Sequence, residues 1–135
     1  MPITPRCQRA IDTAEDAARR FGAVRSSSPH LVLGLLSLKD GVAVHVLVNG
    51  GVTEEEVADY LARVQPPENP ALRDSVAAAV VRAVVEAQKA SHTYVGTEHL
   101  LLALLADEDK EATALFTALA LDRVSARELL IHSLV

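Results

Sequence analysis

His99-Leu-Leu-Leu-Ala-Leu-Leu105 repeats, at an offset of 69 residues, the earlier stretch His30-Leu-Val-Leu-Gly-Leu-Leu36. Self-similarity at about half the chain length marks a duplicated structural unit and limits the architecture before any single residue is weighed. The register holds on moving outward from the heptapeptide. Ile3, Cys7, Ala10, Ile11, Ala14, Ala18 and Phe21 map onto Leu72, Val76, Ala79, Val80, Ala83, Ala87 and Ala90. Steps of three and four residues put each set on one face of a helix. Ala43, Val46 and Leu47 map onto Ala112, Leu115 and Phe116, and Val52, Val57 and Leu61 onto Leu121, Ala126 and Leu130. Function is expected of two related surfaces, or of the groove between them.

Helix punctuation follows the same repeat. Thr4-Pro5 and Asn69-Pro70 each set a capping side chain before a proline suited to a first helical position. Ser28-Pro29 and Thr97-Glu98 open the two leucine-rich helices, with Thr97 as a candidate cap. Thr53-x-x-Glu56 reads as a capping box, and Asp122 is its counterpart. Gly50-Gly51 breaks the chain before Val52. The pattern predicts helices near 5–21, 29–38, 41–49, 53–64, 71–91, 98–106, 110–119 and 123–133, and no alternating strand pattern. The expected fold is all-α, two tandem four-helix repeats. Residues 1–64 form the first, the proline-rich Gln65–Pro70 the linker, and 71–135 the second, packed as one compact domain.

Composition narrows the function. Half of the 135 residues are hydrophobic, but only 3% are aromatic, so the core is built from Ala, Val and Leu. A formal charge of −5 without a Lys/Arg run argues against a phosphate-backbone footprint, hence against nucleic acid. No apolar stretch approaches a membrane span. A single cysteine excludes an internal disulfide framework, and the N-terminus lacks the pattern of a signal peptide. A cytoplasmic protein is expected.

Candidate chemistry is sparse. Cys7 lies on the apolar stripe of the first helix, opposite Val76 in the repeat, and reads as core. His30, His45, His92, His99 and His132 form no i, i+4 pair and no HExxH, so hydrogen-bonded structural roles are expected, and no metal site. Asp107-Glu108-Asp109 reads as a solvated acidic turn. The six glycines form no phosphate-cradling motif, so no nucleotide or other cofactor is expected. Tyr94-Val-Gly-Thr-Glu-His99 is the most informative stretch. The free N–H groups of a helix start hold an anion, and Glu98 sets a carboxylate beside them. That pairing suits a ligand of both signs, such as a phosphorylated guanidinium; the alternative is that Glu98 only complements the helix dipole.

With Val95-Gly-Thr-Glu-His-Leu-Leu-Leu-Ala-Leu-Leu105, Thr4-Pro-Arg and the doubled leucine helices in view, the chain resembles the Clp N-terminal repeat domain. That is the docking module at the front of Clp/Hsp100 AAA+ unfoldases, here nearest the ClpC type. The resemblance implies pseudo-twofold symmetry between the repeats and no catalysis. It implies docking of adaptors and of client proteins bound for ATP-dependent unfolding and proteolysis. It further implies one phosphoarginine pocket per repeat, built from a glutamate in the GTEH motif and a threonine at the first helix. Here the pattern is split. The second repeat keeps Glu98, but the family spacing puts Arg73 at the threonine position. The first repeat keeps Thr4, but Pro29 replaces the glutamate. Repeat one is expected to have lost phosphoarginine binding. Repeat two is expected to retain a weak site at Thr97 and Glu98, with Arg73 contacting phosphate or repelling the guanidinium. The start at Met1 and the diverged first repeat lean toward a free-standing regulator or decoy over an excised piece of an unfoldase.

Overall fold

A computed structural model describes residues 1–23, 26–64 and 76–134. Arg73 and the Gln65–Pro70 linker lie outside these residues. The described chain holds α1 (Pro5–Arg20), α2 (Ser28–Leu36), α3 (Val42–Asn49) and α4 (Glu54–Arg63). There follow α5 (Val76–Lys89), α6 (Thr97–Leu104), α7 (Lys110–Ala118) and α8 (Arg123–Ser133). All eight expected helices are present.

Side chains set the helix starts. Thr4 Oγ1 accepts the Cys7 N–H (3.2 Å) at α1, Thr53 Oγ1 that of Glu56 (3.3 Å) at α4, and Asp122 Oδ1 that of Ser125 (3.1 Å) at α8. Each satisfies a donor that helix geometry leaves without an internal partner. The glycine break before Val52 is real: Gly50 closes α3, and Gly51 takes φ +92°, a conformation that favours glycine. The start of α6 differs from expectation. Gly96, not Thr97, is the N-cap residue, and Thr97 is buried in the first turn.

The repeats interlock. Besides the α1–α2 and α5–α6 pairs, α1 meets α6 and α5 meets α2; α2 meets α7 and α6 meets α3. These reciprocal contacts follow the 69-residue offset and describe a pseudo-twofold arrangement. One hydrophobic cluster runs through both repeats, with Leu31, Leu35, Leu36 and Leu47 joined to Leu100, Leu101, Leu104 and Phe116. The repeated leucines are therefore core. Gly34 brings α1 and α2 into close approach: a Cβ there would stand 2.2 Å from the Ala10 carbonyl oxygen. Its counterpart, Ala103, is fully buried with its methyl in place.

One contact has no precedent in the helical pattern. Ile3 forms a parallel bridge with Val95, so the residues before α1 lie against those before α6. Among the described residues, no helix is long and apolar enough to cross a membrane.

Candidate functional site

The site grows from the cap of α6. The Gly96 N–H donates to His99 Nδ1 at 2.9 Å. A neutral imidazole with Nδ1 as acceptor carries its hydrogen on Nε2. His99 Nε2 lies 2.9 Å from His92 Nδ1 and so donates to it. Tyr94 stacks on His92 with centroids 5.1 Å apart and planes inclined by 9°. The ordered loop is thus a relay, from backbone N–H to His99 to His92, covered by a half-exposed tyrosine. Burial, and then His92, push the His99 pKa down; Glu98 and Glu86 pull it up less strongly.

The start of α1 adjoins this cap. Val95 N–H donates to the Pro2 carbonyl (2.8 Å), and Thr4 N–H to the Val95 carbonyl (2.9 Å). Cys7, in the first turn of α1, is fully buried. Burial, with a further contribution from the Glu98 carboxylate, pushes its thiol up to about 11. A thiol so held is protonated at neutral pH and is a poor nucleophile. The same coupling sets Glu98 within electrostatic reach of α1. The starts of α1 and α6 are thus neighbours, with Glu98 in the first turn of α6. Thr4, from the first repeat, and Thr97 and Glu98, from the second, belong to this one region. The structure joins them across the repeats, a pairing that spacing within each repeat does not suggest. Arg73 lies outside the described residues.

The corresponding start of α2 uses the same cap and different surroundings. The Ser27 N–H donates to His30 Nδ1 at 3.0 Å. Pro29 takes the glutamate's place and is buried; it offers neither an N–H nor a carboxylate. Ser28 Oγ donates to Asp109 Oδ2 at 2.6 Å, and Arg82 Nη2 to the same oxygen at 2.8 Å. Asp109 Oδ1 accepts the Ala112 N–H (3.0 Å) and caps α7. The expectation of a solvated acidic turn fails here: Asp107 and Glu108 are exposed, but Asp109 is fully buried. Burial is possible because a hydroxyl, a guanidinium and a backbone N–H share its two oxygens. Arg82 escaped the sequence reading, and Asp109 entered it only as part of the solvated turn. The available signal was an aspartate three residues before Ala112, in a helix-capping position.

The eight helices form an all-α scaffold of two interlocked repeats, with capping side chains at the helix starts. The family profile of the Clp repeat (R) N-terminal domain matches residues 2–119, and the chain belongs to that family. A probable ATP-dependent Clp protease ATP-binding subunit of Chlamydia pneumoniae is 34% identical across 98% of this chain and 16% of its own length. The ATP-dependent Clp protease ATP-binding subunit ClpC of Staphylococcus epidermidis is 32% identical across 98% of this chain and 17% of its own length. The chain thus spans about a sixth of the length of these relatives. In fold it is similar to the N-terminal domain of the Caseinolytic protease associated chaperone ClpD from Arabidopsis thaliana. That similarity has a TM-score of 0.81 at 18% identity, covering 98% of this chain and 97% of that one. It is also similar to the Hsp104 N-terminal domain from Candida albicans, with a TM-score of 0.75 at 19% identity over 97% and 90%.

Proposed function

We propose that the chain is a non-catalytic docking module that recruits adaptor or client proteins to a Clp-type unfolding and proteolysis system in the cytoplasm. It acts as the front of an unfoldase or as a free-standing regulator or decoy of one. The observation that carries this reading is the match itself: 98% of the chain aligns with only 16–17% of ATP-binding subunits. The test is a pull-down from native extract with wild type and Glu98→Ala. Recovery of a Clp ATPase, an adaptor or arginine-phosphorylated clients supports docking and tells the versions apart; recovery of none of them would count against it.

A second reading is a phosphoarginine-type sensor, with Glu98 facing the guanidinium and the helix-start N–H groups near Thr4 and Thr97 facing the phosphate. Arg73 would be a further phosphate contact or a repelling charge. The bond from Thr4 to Val95 supports it, since it brings the threonine retained in the first repeat to the segment that carries the glutamate retained in the second. Titration with free phosphoarginine should move amide resonances at residues 2–7 and 95–99, and Glu98→Ala should abolish the movement. No response at millimolar ligand removes the sensor reading and leaves docking intact.

A further inference from the structure

The two repeats differ at a second pair of equivalent places. Between the end of α2, α3 and the start of α4 lies a groove of about 490 Å³. Leu36, Val44 and Val48 supply its apolar walls, and Lys39, Glu54 and Glu55 stand at its rim. Lys39 is engaged by Glu54, so the lysine is already answered, while Glu55 is exposed. Glu54, Glu55 and Glu56 together make the first turn of α4 acidic. Val48 is 46% exposed, which leaves apolar surface beside that charge.

At the same offset, Glu54 corresponds to Arg123 and Leu36 to Leu105. In the second repeat the arginine folds back. Arg123 Nη2 donates to the Leu105 carbonyl at 2.9 Å and to Asp107 Oδ1 at 2.7 Å, with only 24% of its side chain exposed. Each repeat thus carries an internal ion pair here, Arg123 with Asp107 in the second and Lys39 with Glu54 in the first, but in the first the exposed Glu55 adds a further carboxylate beside the groove. The walls differ in the same sense, with Thr113 and Thr117 where the first repeat has Val44 and Val48.

We infer that the α2–α3–α4 groove is a docking site for an extended polypeptide segment that carries an aliphatic side chain next to arginine or lysine. The aliphatic group sits against Val44 and Val48. The cation sits at Glu55, the exposed carboxylate at the start of α4. This inference rests on the docking reading and names the chemistry of the partner. It predicts that acidic or purely apolar segments dock poorly here, because an acidic rim repels the first and leaves its own charge unanswered by the second.

The test uses a short Gly/Ser peptide with a central Arg-Leu-Arg and its Glu-Leu-Glu counterpart, titrated to about 1 mM against the isotope-labelled chain. The Arg-Leu-Arg peptide should shift amides within residues 36–55, and Glu55→Lys should weaken it roughly fivefold, the scale of one exposed charge pair. Val48→Asp should also weaken it, through loss of the apolar wall; circular dichroism of both variants verifies the fold. A reduced, alkylated, permanently unfolded protein is titrated in parallel. If it binds while residues 36–55 stay silent, or binds equally to wild type and Glu55→Lys, the groove assignment is overturned and docking survives elsewhere. If neither peptide nor unfolded protein binds, both readings fall.

Discussion

The starts of α2 and α6 occupy equivalent places, share a histidine cap, and have opposite fates. At α6 the cap histidine passes its second ring nitrogen to His92, and the carboxylate of Glu98 lies beside Gly96. At α2 the neighbouring hydroxyl, Ser28, is tied to Asp109, and Asp109 to Arg82. One start keeps a partly buried carboxylate beside its cap, while the other is an inter-repeat clamp. Duplication supplies two copies of a scaffold, and buried polar chemistry decides which copy remains available.

The clamp is where the largest effect is expected. Asp109→Ala removes the acceptor for a buried hydroxyl, a guanidinium and a helix-start N–H. The expected loss is about 3 kcal/mol of stability, the scale for breaking a buried pair. The equivalent aspartate, Asp40, pairs with Arg6 at the surface, with 75% and 41% of their side chains exposed. Asp40→Ala should leave the urea midpoint within error, because exposed pairs contribute little. Equal losses at 109 and 40 would erase the distinction between a buried clamp and a surface pair.

Helix packing supplies the next contrast. Gly34→Ala gains helix propensity, yet its methyl would meet backbone of α1: the Ala10 carbonyl oxygen at 2.2 Å and the Ala14 nitrogen at 3.3 Å. Backbone yields less readily than a side-chain tip, so a net loss of about 1–2 kcal/mol is expected from overpacking. Ala103 already accommodates that methyl in the second repeat. A stabilised Gly34→Ala variant would mean that α1 and α2 separate at little cost, and that the repeats are closer to equivalent than they look.

The offset and the spacing of apolar residues were enough to place all eight helices and the repeated leucines in the core. Those features depend on period and on local capping, which a linear sequence carries. Two facts were not legible. The Ile3–Val95 bridge is a single contact with no alternating pattern behind it, and it brings the Thr4 segment to the start of α6. Asp109 looks like a member of an acidic turn until Ser28 and Arg82, distant in sequence, arrive beside it. Long-range polar pairing leaves no periodic trace, so the shape of the site was the part that needed three dimensions.

The α6 cap should be sensitive to pH. His99 has its pKa lowered in the folded state, so the unfolded chain binds more protons near the ordinary histidine range. The stability linked to neutral His99 is complete above about pH 6.5 and is lost as pH falls through the depressed folded value. His92 adds to this effect, whereas Glu98 and Glu86 oppose it. His99→Gln keeps a residue type suited to reciprocal capping at this position but removes the titration. Its thermal midpoint should therefore change less between pH 7 and pH 5 than that of wild type. Parallel pH profiles would show that the relay is not a determinant of acid sensitivity.

The smallest expected effect is also the most local. Cys7 of the first repeat is raised to about 11 by burial and, secondarily, by Glu98 of the second. Glu98→Gln removes the carboxylate and leaves burial in place, so the thiol should titrate at lower pH but remain above its ordinary value. Thiolate absorbance followed through alkaline pH reads this directly, with far-ultraviolet circular dichroism confirming that the helices persist. Glu54→Gln, on the other side of the first repeat, serves as the control and should not move the thiol. If Glu98→Gln leaves the titration unchanged, the carboxylate does not face the first turn of α1. The electrostatic reach of Glu98 to the start of α1 would then fail. A downward shift would tie the retained threonine segment and the retained glutamate to one site by a measurement that needs no ligand.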